Sequence, residues 1–238
     1  MAQVPGSPRR VAFFGGSFDP PHLGHLAVAR VARSALRLDT VLFAPVGMQP
    51  LKPRGSTAPF EDRVAMTGLA IAGEPRFALT RIDAPNGAGL PNYTLETLEQ
   101  LHAELPDAEL FCLMGADSFV SLKRWHGAAE VPFAASLIVA SRPGQSLDDL
   151  ADSVPAGLVF DRCSAPAQSD PSGIELRTCS LRNAAGRVAE FYILPGLDVE
   201  ISASEIRAAI RSRNGPEPAR PLLPAAVARY IREHELYQ

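Results

Sequence analysis

The chain has 238 residues, 46% of them hydrophobic and 21% charged, with a formal net charge of −3. That length can bury a sizeable core as one large domain, or as a domain with a small appendage. The charge balance excludes a basic surface for bulk nucleic acid or anionic membrane, and no apolar run approaches the ~20 residues needed to cross a bilayer.

Residues 1–9, with Pro5, Gly6 and Pro8, read as a disordered leader. Arg9-Arg10 ahead of an apolar stretch suggests a twin-arginine export signal. However, Val11 to Phe14 ends at Gly15-Gly16, well short of the ~7–15 apolar residues such a signal needs. Cys112, Cys163 and Cys179 form no CxxC pair, and an odd, sparse set fits a reduced cytoplasm better than a disulfide framework. The expected location is therefore the cytoplasm, where the sequon Asn92-Tyr93-Thr94 is without meaning.

Strand and helix signals then alternate. Val11-Ala12-Phe13-Phe14 is a continuous apolar run, the mark of a strand covered on both faces. Residues 26–36 predict a helix, 40–44 a strand, 60–72 a helix and 78–82 a strand. Residues 94–105 predict an amphipathic helix with Leu95, Leu98, Leu101 and Leu105 on one face. Strands follow at 110–114 and 136–140. Residues 145–187, rich in Pro, Ser, Gly and Asp, read as an irregular insertion, with room for a short hairpin. Residues 190–194 resume the sheet. Helices at 204–213 and 224–234 close the chain, the second with Pro224 at its first position. Repeated β-α-β units imply an α/β fold: a doubly wound parallel sheet with helices on both faces. Residues 10–238 are expected to form a single domain, with a small helical part over 202–238.

The turn Gly15-Gly16-Ser17-Phe18-Asp19-Pro20-Pro21-His22-Leu23-Gly24-His25 joins the first strand to the first helix. Ligands of open parallel sheets bind beyond the carboxyl ends of strands. Gly15 and Gly16 would let a ligand approach the backbone, and a helix start favours an anion. His22 and His25 lie three apart, on one side of a helical turn, with Gly24 clearing space between them. Imidazoles so placed can donate to phosphate oxygens. Other readings stay open here: a tight turn for the glycines, a pair of structural histidines, or half of a metal site that no other Cys or His is spaced to complete. There is no Walker A sequence and no GxGxxG.

Ile201-Ser202-Ala203-Ser204-Glu205-Ile206-Arg207 opens the penultimate helix. Ser202 with Glu205 has capping-box spacing, and a capped helix alone would explain it. Ser204, first-turn N–H groups and the Arg207 fork could also hold phosphate. Two helix starts facing one polyphosphate would suit phosphoryl or nucleotidyl transfer, where a protein mostly aligns groups and stabilises charge.

Together these segments resemble the paired signatures of the HxGH nucleotidyltransferase superfamily, and within it the nicotinate-nucleotide adenylyltransferases, over roughly Val11 to Tyr237. Asn92-Tyr93-Thr94-Leu95-Glu96-Thr97-Leu98, Leu113-Met114-Gly115-Ala116-Asp117-Ser118, Lys123-Arg124-Trp125-His126, Arg142-Pro143-Gly144 and the closing Leu222 to Tyr237 resemble further stretches of that family. The resemblance implies a Rossmann-like fold and adenylyl transfer from ATP to nicotinate mononucleotide, giving deamido-NAD and pyrophosphate without a covalent enzyme intermediate. It implies that His22, His25 and Arg207 are catalytic. Gly15, Gly16, Ser17, Phe18, Gly115, Asp117, Ser202 and Ser204 would complete the ATP site, with Mg2+ carried by the phosphates and no protein metal site. Tyr93, Thr94, Trp125, Arg142 and Lys52 would meet nicotinate mononucleotide. The loop Val46 to Lys52 departs from the family pattern in lacking a Pro-His-Lys core. Other HxGH enzymes, acting on nicotinamide mononucleotide or phosphopantetheine, and a non-catalytic nucleotide sensor on the same fold remain alternatives. So does a homo-oligomer, with 145–187 as lid, oligomer contact or harmless insertion.

Overall fold

The computed structural model describes residues 8–52, 55–141, 150–165, 167–168, 175–194, 201–212 and 222–238. Nine strands form the sheet: β1 (Arg9–Gly16), β2 (Thr40–Pro45), β3 (Phe77–Leu79), β4 (Ala108–Gly115), β5 (Ser136–Ala140), β6 (Leu158–Cys163), β7 (Ala167–Gln168), β8 (Glu175–Asn183) and β9 (Val188–Leu194). Their order is β3-β2-β1-β4-β5-β9-β8-β6, with β7 pairing β8. The run from β3 to β9 is parallel; β8 joins β9, and β6 and β7 join β8, antiparallel. The described helices are α1 (Leu23–Ala35), α2 (Phe60–Ile71), α3 (Thr94–Glu104), α4 (Ala116–Ser121), α5 (Val131–Ala134), α6 (Ala203–Arg211) and α7 (Ala225–Glu233). Among the described residues, no helix is long and apolar enough to cross a membrane.

Alternation along β1 builds both layers. Ala12 and Phe14 enter a core shared with Leu26 and Ala29 of α1, Met66 and Ala70 of α2, and Val227 and Ile231 of α7. Val11 and Phe13 face the opposite layer, with Leu98 and Leu101 of α3, Phe119 of α4 and Val131 of α5. A strand covered twice needs no polar face, which explains its unbroken apolar run. The chain lays β2 and β3 on one side of β1, then β4 and β5 on the other. The direction of winding therefore reverses between β1 and β4, and ligand crevices of doubly wound sheets open at such a reversal. The turns after Gly16 and Gly115 both lie at that edge.

Three expectations are corrected. The stretch read as irregular contains β6, β7 and β8, which extend the sheet antiparallel from β9. Most residues of β6 and β8 are exposed or half-exposed, so these strands show little apolar periodicity. Cys163 and Cys179 are not unpaired: they stand in register across β6 and β8, Cα atoms 4.0 Å apart, and form a disulfide, while Cys112 remains free and buried. The third strand is only Phe77–Leu79. The leader 1–7 lies outside the described residues.

Candidate active site

The first turn is shaped by its own aromatics. A Cβ on Gly15 would stand 2.7 Å from the Phe13 ring, and one on Gly16 would stand 3.2 Å from the Phe18 ring. A Cβ on Gly24 would lie 3.0 Å from Nδ1 of His22. The space on the Cβ side of these glycines is thus taken by neighbouring rings. His22 ends the turn in an extended conformation, and α1 begins at the next residue. The rings of His22 and His25 stack with centroids 3.7 Å apart, as their spacing predicts. The Phe18 ring sits 5.0 Å from that of His25.

The backbone N–H of His22 donates to Nδ1 of His25 at 3.1 Å. An accepting Nδ1 puts the proton of neutral His25 on Nε2, leaving that atom a donor. His22 is 7% exposed, and its Nδ1 is buried without a hydrogen-bond partner. Burial lowers the His22 pKa to about 4. Burial, then the charges of His22 and Lys52, lower that of His25 well below the usual range. Both imidazoles are therefore neutral at pH 7 in the ligand-free protein.

The start of α6 comes to the same place. Arg207 donates from Nη1 to the Asp19 carbonyl at 2.6 Å and from Nη2 to Ser204 Oγ at 3.3 Å. Its guanidinium thus joins two segments 188 positions apart in the chain. Ser202 is the N-cap residue of α6, yet its side chain makes no capping bond, so the expected capping box is not formed. Lys52 donates from Nζ to Ser17 Oγ at 2.9 Å, and Ser17 Oγ donates to Gln49 Oε1 at 3.1 Å. Although it lacks a Pro-His-Lys core, this loop brings a lysine to the turn after β1. Beneath lies Arg63, 2% exposed, which donates to the carbonyls of Ser17 at 2.8 Å and Ala58 at 3.2 Å.

A second cluster forms at the start of α3. Tyr93 is its N-cap residue and Thr94 its first. Asn92 accepts from the Met48 N–H and donates to the carbonyls of Met48 and Ala84, each at 3.0 Å. Gly47 N–H donates to the Asp83 carbonyl at 2.7 Å, and the Asp83 carboxyl accepts from the Thr97 hydroxyl. These bonds stitch the Lys52 loop to α3. The Tyr93 ring packs 4.6 Å from His126, and the neighbouring Trp125 donates from Nε1 to Ser121 Oγ at 3.1 Å. Gly115 and Asp117 lie exposed at the end of β4 and in the first turn of α4. Arg142 lies outside the described residues.

Asp19, Arg63, Gln49 and Asp83 had no sequence-derived role. Asp19 stood inside the quoted turn, but its value lies in accepting the Thr57 and Ala58 N–H groups at 2.6 and 3.0 Å, which no spacing announces. Arg63 follows Glu61-Asp62 at the start of α2, with no signal that it would be buried. Among the described residues, no group of three or more His, Cys, Asp or Glu could hold a metal.

Residues 13–209 match the model of the Cytidylyltransferase-like family. A protein of Citrifermentans bemidjiense named "Probable nicotinate-nucleotide adenylyltransferase" is 34% identical over 228 residues, covering 96% of this chain and 98% of its own. A like-named protein of Herpetosiphon aurantiacus is 34% identical over 231 residues, with the same shares covered. The fold is similar to that of the nicotinic acid mononucleotide adenylyltransferase of Plasmodium falciparum complexed with NaAD, at TM-score 0.68 and 15% identity, over 96% of this chain and 97% of that one. With its two helix starts meeting at the winding reversal, the chain belongs to the cytidylyltransferase-like family of nucleotidyltransferases, among the nicotinate-nucleotide adenylyltransferases it matches along nearly its whole length.

Proposed function

We propose that the chain transfers the adenylyl group of ATP to nicotinate mononucleotide, releasing pyrophosphate and forming deamido-NAD. The observation that carries this reading is the Arg207 guanidinium, bonded at once to Ser204 of α6 and to Asp19 beside the two histidines. Support comes from the names of the relatives and from the NaAD complex of the P. falciparum neighbour.

The acceptor's phosphate oxygen attacks the α-phosphorus in line. A new P–O bond forms as the bond to the β-phosphate oxygen breaks, and the electron pair leaves with pyrophosphate. A phosphate nucleophile needs no general base, so the side chains bind, align and stabilise charge. His25 donates from Nε2, and His22, whose Nδ1 is unsatisfied, offers a second polar contact. Arg207 and Ser204 hold the departing phosphates, Ser202 lies at the head of the same helix, and the turn Gly15 to Phe18 lines the nucleotide. Gly115 and Asp117 meet the ribose. Lys52 takes the acceptor's phosphate. Tyr93, Thr94 and the first N–H groups of α3 receive the nicotinate carboxylate, an acceptor-only group, and Trp125 stacks on the ring. Arg142 belongs to the same acceptor site by family resemblance.

Mg2+ enters this reading with the ATP phosphates, whose charge it neutralises. The groups around the turn are mainly N–H donors and cations, and the carboxylate of Asp19 is committed to the Thr57 and Ala58 N–H groups. That donor set does not suit a Mg2+ cage.

Pyrophosphate release with ATP and each acceptor is the test. Turnover with nicotinate mononucleotide should exceed that with nicotinamide mononucleotide or phosphopantetheine. Equal or better turnover with the amide would remove the acid specificity, and ATP binding without turnover would favour a nucleotide sensor.

A further inference from the structure

We propose that Tyr237, the penultimate residue of the chain, is a positioning residue for the triphosphate: its hydroxyl fixes Asp19, and Asp19 fixes Arg207. The inference rests on the adenylyl-transfer reading and adds to it a residue outside both phosphate-binding segments.

Tyr237 Oη donates to Asp19 Oδ1 at 2.8 Å, and both residues are buried, 6% and 4% exposed. Oδ1 also accepts the Ala58 N–H at 3.0 Å, and Oδ2 accepts the Thr57 N–H at 2.6 Å. Donors on both oxygens fix the plane of a carboxylate. The carbonyl of the same residue accepts Arg207 Nη1 at 2.6 Å, and Nη1 stands 3.9 Å from Oδ2. One residue therefore receives the chain's end through its side chain and the guanidinium through its backbone. Nη2 also donates to Ser204 Oγ at 3.3 Å, and the N–H donors of Arg207 beyond these two bonds would meet phosphate.

The backbone carries a second sign of this docking. After α7, Glu235 and Tyr237 adopt φ of 51° and 68°. Non-glycine residues hold that left-handed conformation only where their surroundings demand it. Leu236 N–H closes on the Ile231 carbonyl at 3.0 Å, and the chain turns back to carry the ring inward. Burial, reinforced by the Asp19 charge, raises the phenol's pKa, so it stays protonated and donating.

The same C-terminal segment supplies a matched control. Tyr230 Oη donates to Asp62 Oδ1 of α2 at 2.9 Å, a tyrosine–aspartate bond made to α2 rather than to Asp19. The experiment compares Tyr237→Phe with Tyr230→Phe by steady-state kinetics, ATP-binding calorimetry and thermal melting. Tyr237→Phe should raise the KM and Kd for ATP about tenfold while the KM for nicotinate mononucleotide stays within about twofold. Tyr230→Phe should leave both KM values within about twofold, even where its Tm falls as far. Unchanged ATP binding in Tyr237→Phe, or a rise in KM for both substrates that merely follows Tm in both variants, would overturn the inference. If the unaltered chain binds ATP but releases no pyrophosphate, the reaction reading fails alone, and the Kd ratio still decides the role of Tyr237. If it does not bind ATP, both fail.

Discussion

His22 and His25 stack 3.7 Å apart in a buried turn, and burial keeps protons off both. A bound triphosphate would reverse that balance, because a nearby anion favours the imidazolium. In an NMR titration, His22 of the ligand-free protein should titrate near 4, and an unreactive ATP analogue should move it upward; a fixed value would mean that the nucleotide binds elsewhere. Replacing both histidines by alanine should cut turnover by about 10²-fold or more. The chain should still fold, with a lowered melting temperature, since the variant loses the bond from the His22 N–H to His25 Nδ1 while Nδ1 of His22 has no hydrogen bond to lose. Stability carries the same signature. The folded-state pKa of His22 lies below the unfolded 6.5, so its contribution is complete above that pH and is lost as pH falls toward 4. Asp83 acts in the opposite sense: burial raises its folded value from 3.8 to about 6, so its contribution is complete below 3.8 and is lost as pH rises through 6. Two histidines outweigh one aspartate, so denaturant unfolding should show stability falling between pH 6.5 and 4. Asp83→Asn should steepen that fall, and an unchanged slope would contradict this assignment.

The short stitches between elements decide how the two halves of the site meet. A Cβ on Gly47 would stand 2.5 Å from the backbone nitrogen of Pro85, so the Lys52 loop cannot lie against the segment before α3 with any other residue there. Gly47→Ala should cost about 1–3 kcal/mol of stability and raise the KM for the acceptor more than that for ATP; calorimetric melting and steady-state kinetics would check both. The principal strands and helices were legible because each carries its own signal. Val11 to Phe14 is unbroken because both sides are covered, and the leucines of α3 recur because one side is. β6 to β8 were not legible, since an exposed antiparallel extension needs neither pattern. The register that sets Cys163 against Cys179 likewise leaves no mark in cysteine spacing. The site was legible where its residues cluster in sequence, as in the first turn, and illegible where it depends on Arg63 or Asp83, whose burial is a tertiary fact.

Across the whole molecule, winding outward from β1 in both directions puts the turns after β1 and β4 at one edge, and the last two helices return the chain to that edge. Leu23 N–H donates to the Leu222 carbonyl at 3.0 Å, and a Cβ on Gly24 would lie 3.5 Å from that of Ile201, so the starts of α1 and α6 abut. The catalytic proposal requires that abutment to form a single anion site. The most direct measurement is a crystal structure of the protein with an unreactive ATP analogue and Mg2+. His25 Nε2 and Arg207 should lie within about 3 Å of oxygens on the same triphosphate. A nucleotide whose phosphates meet the histidines while Arg207 stays solely on Asp19 and Ser204, or the reverse, would contradict the account.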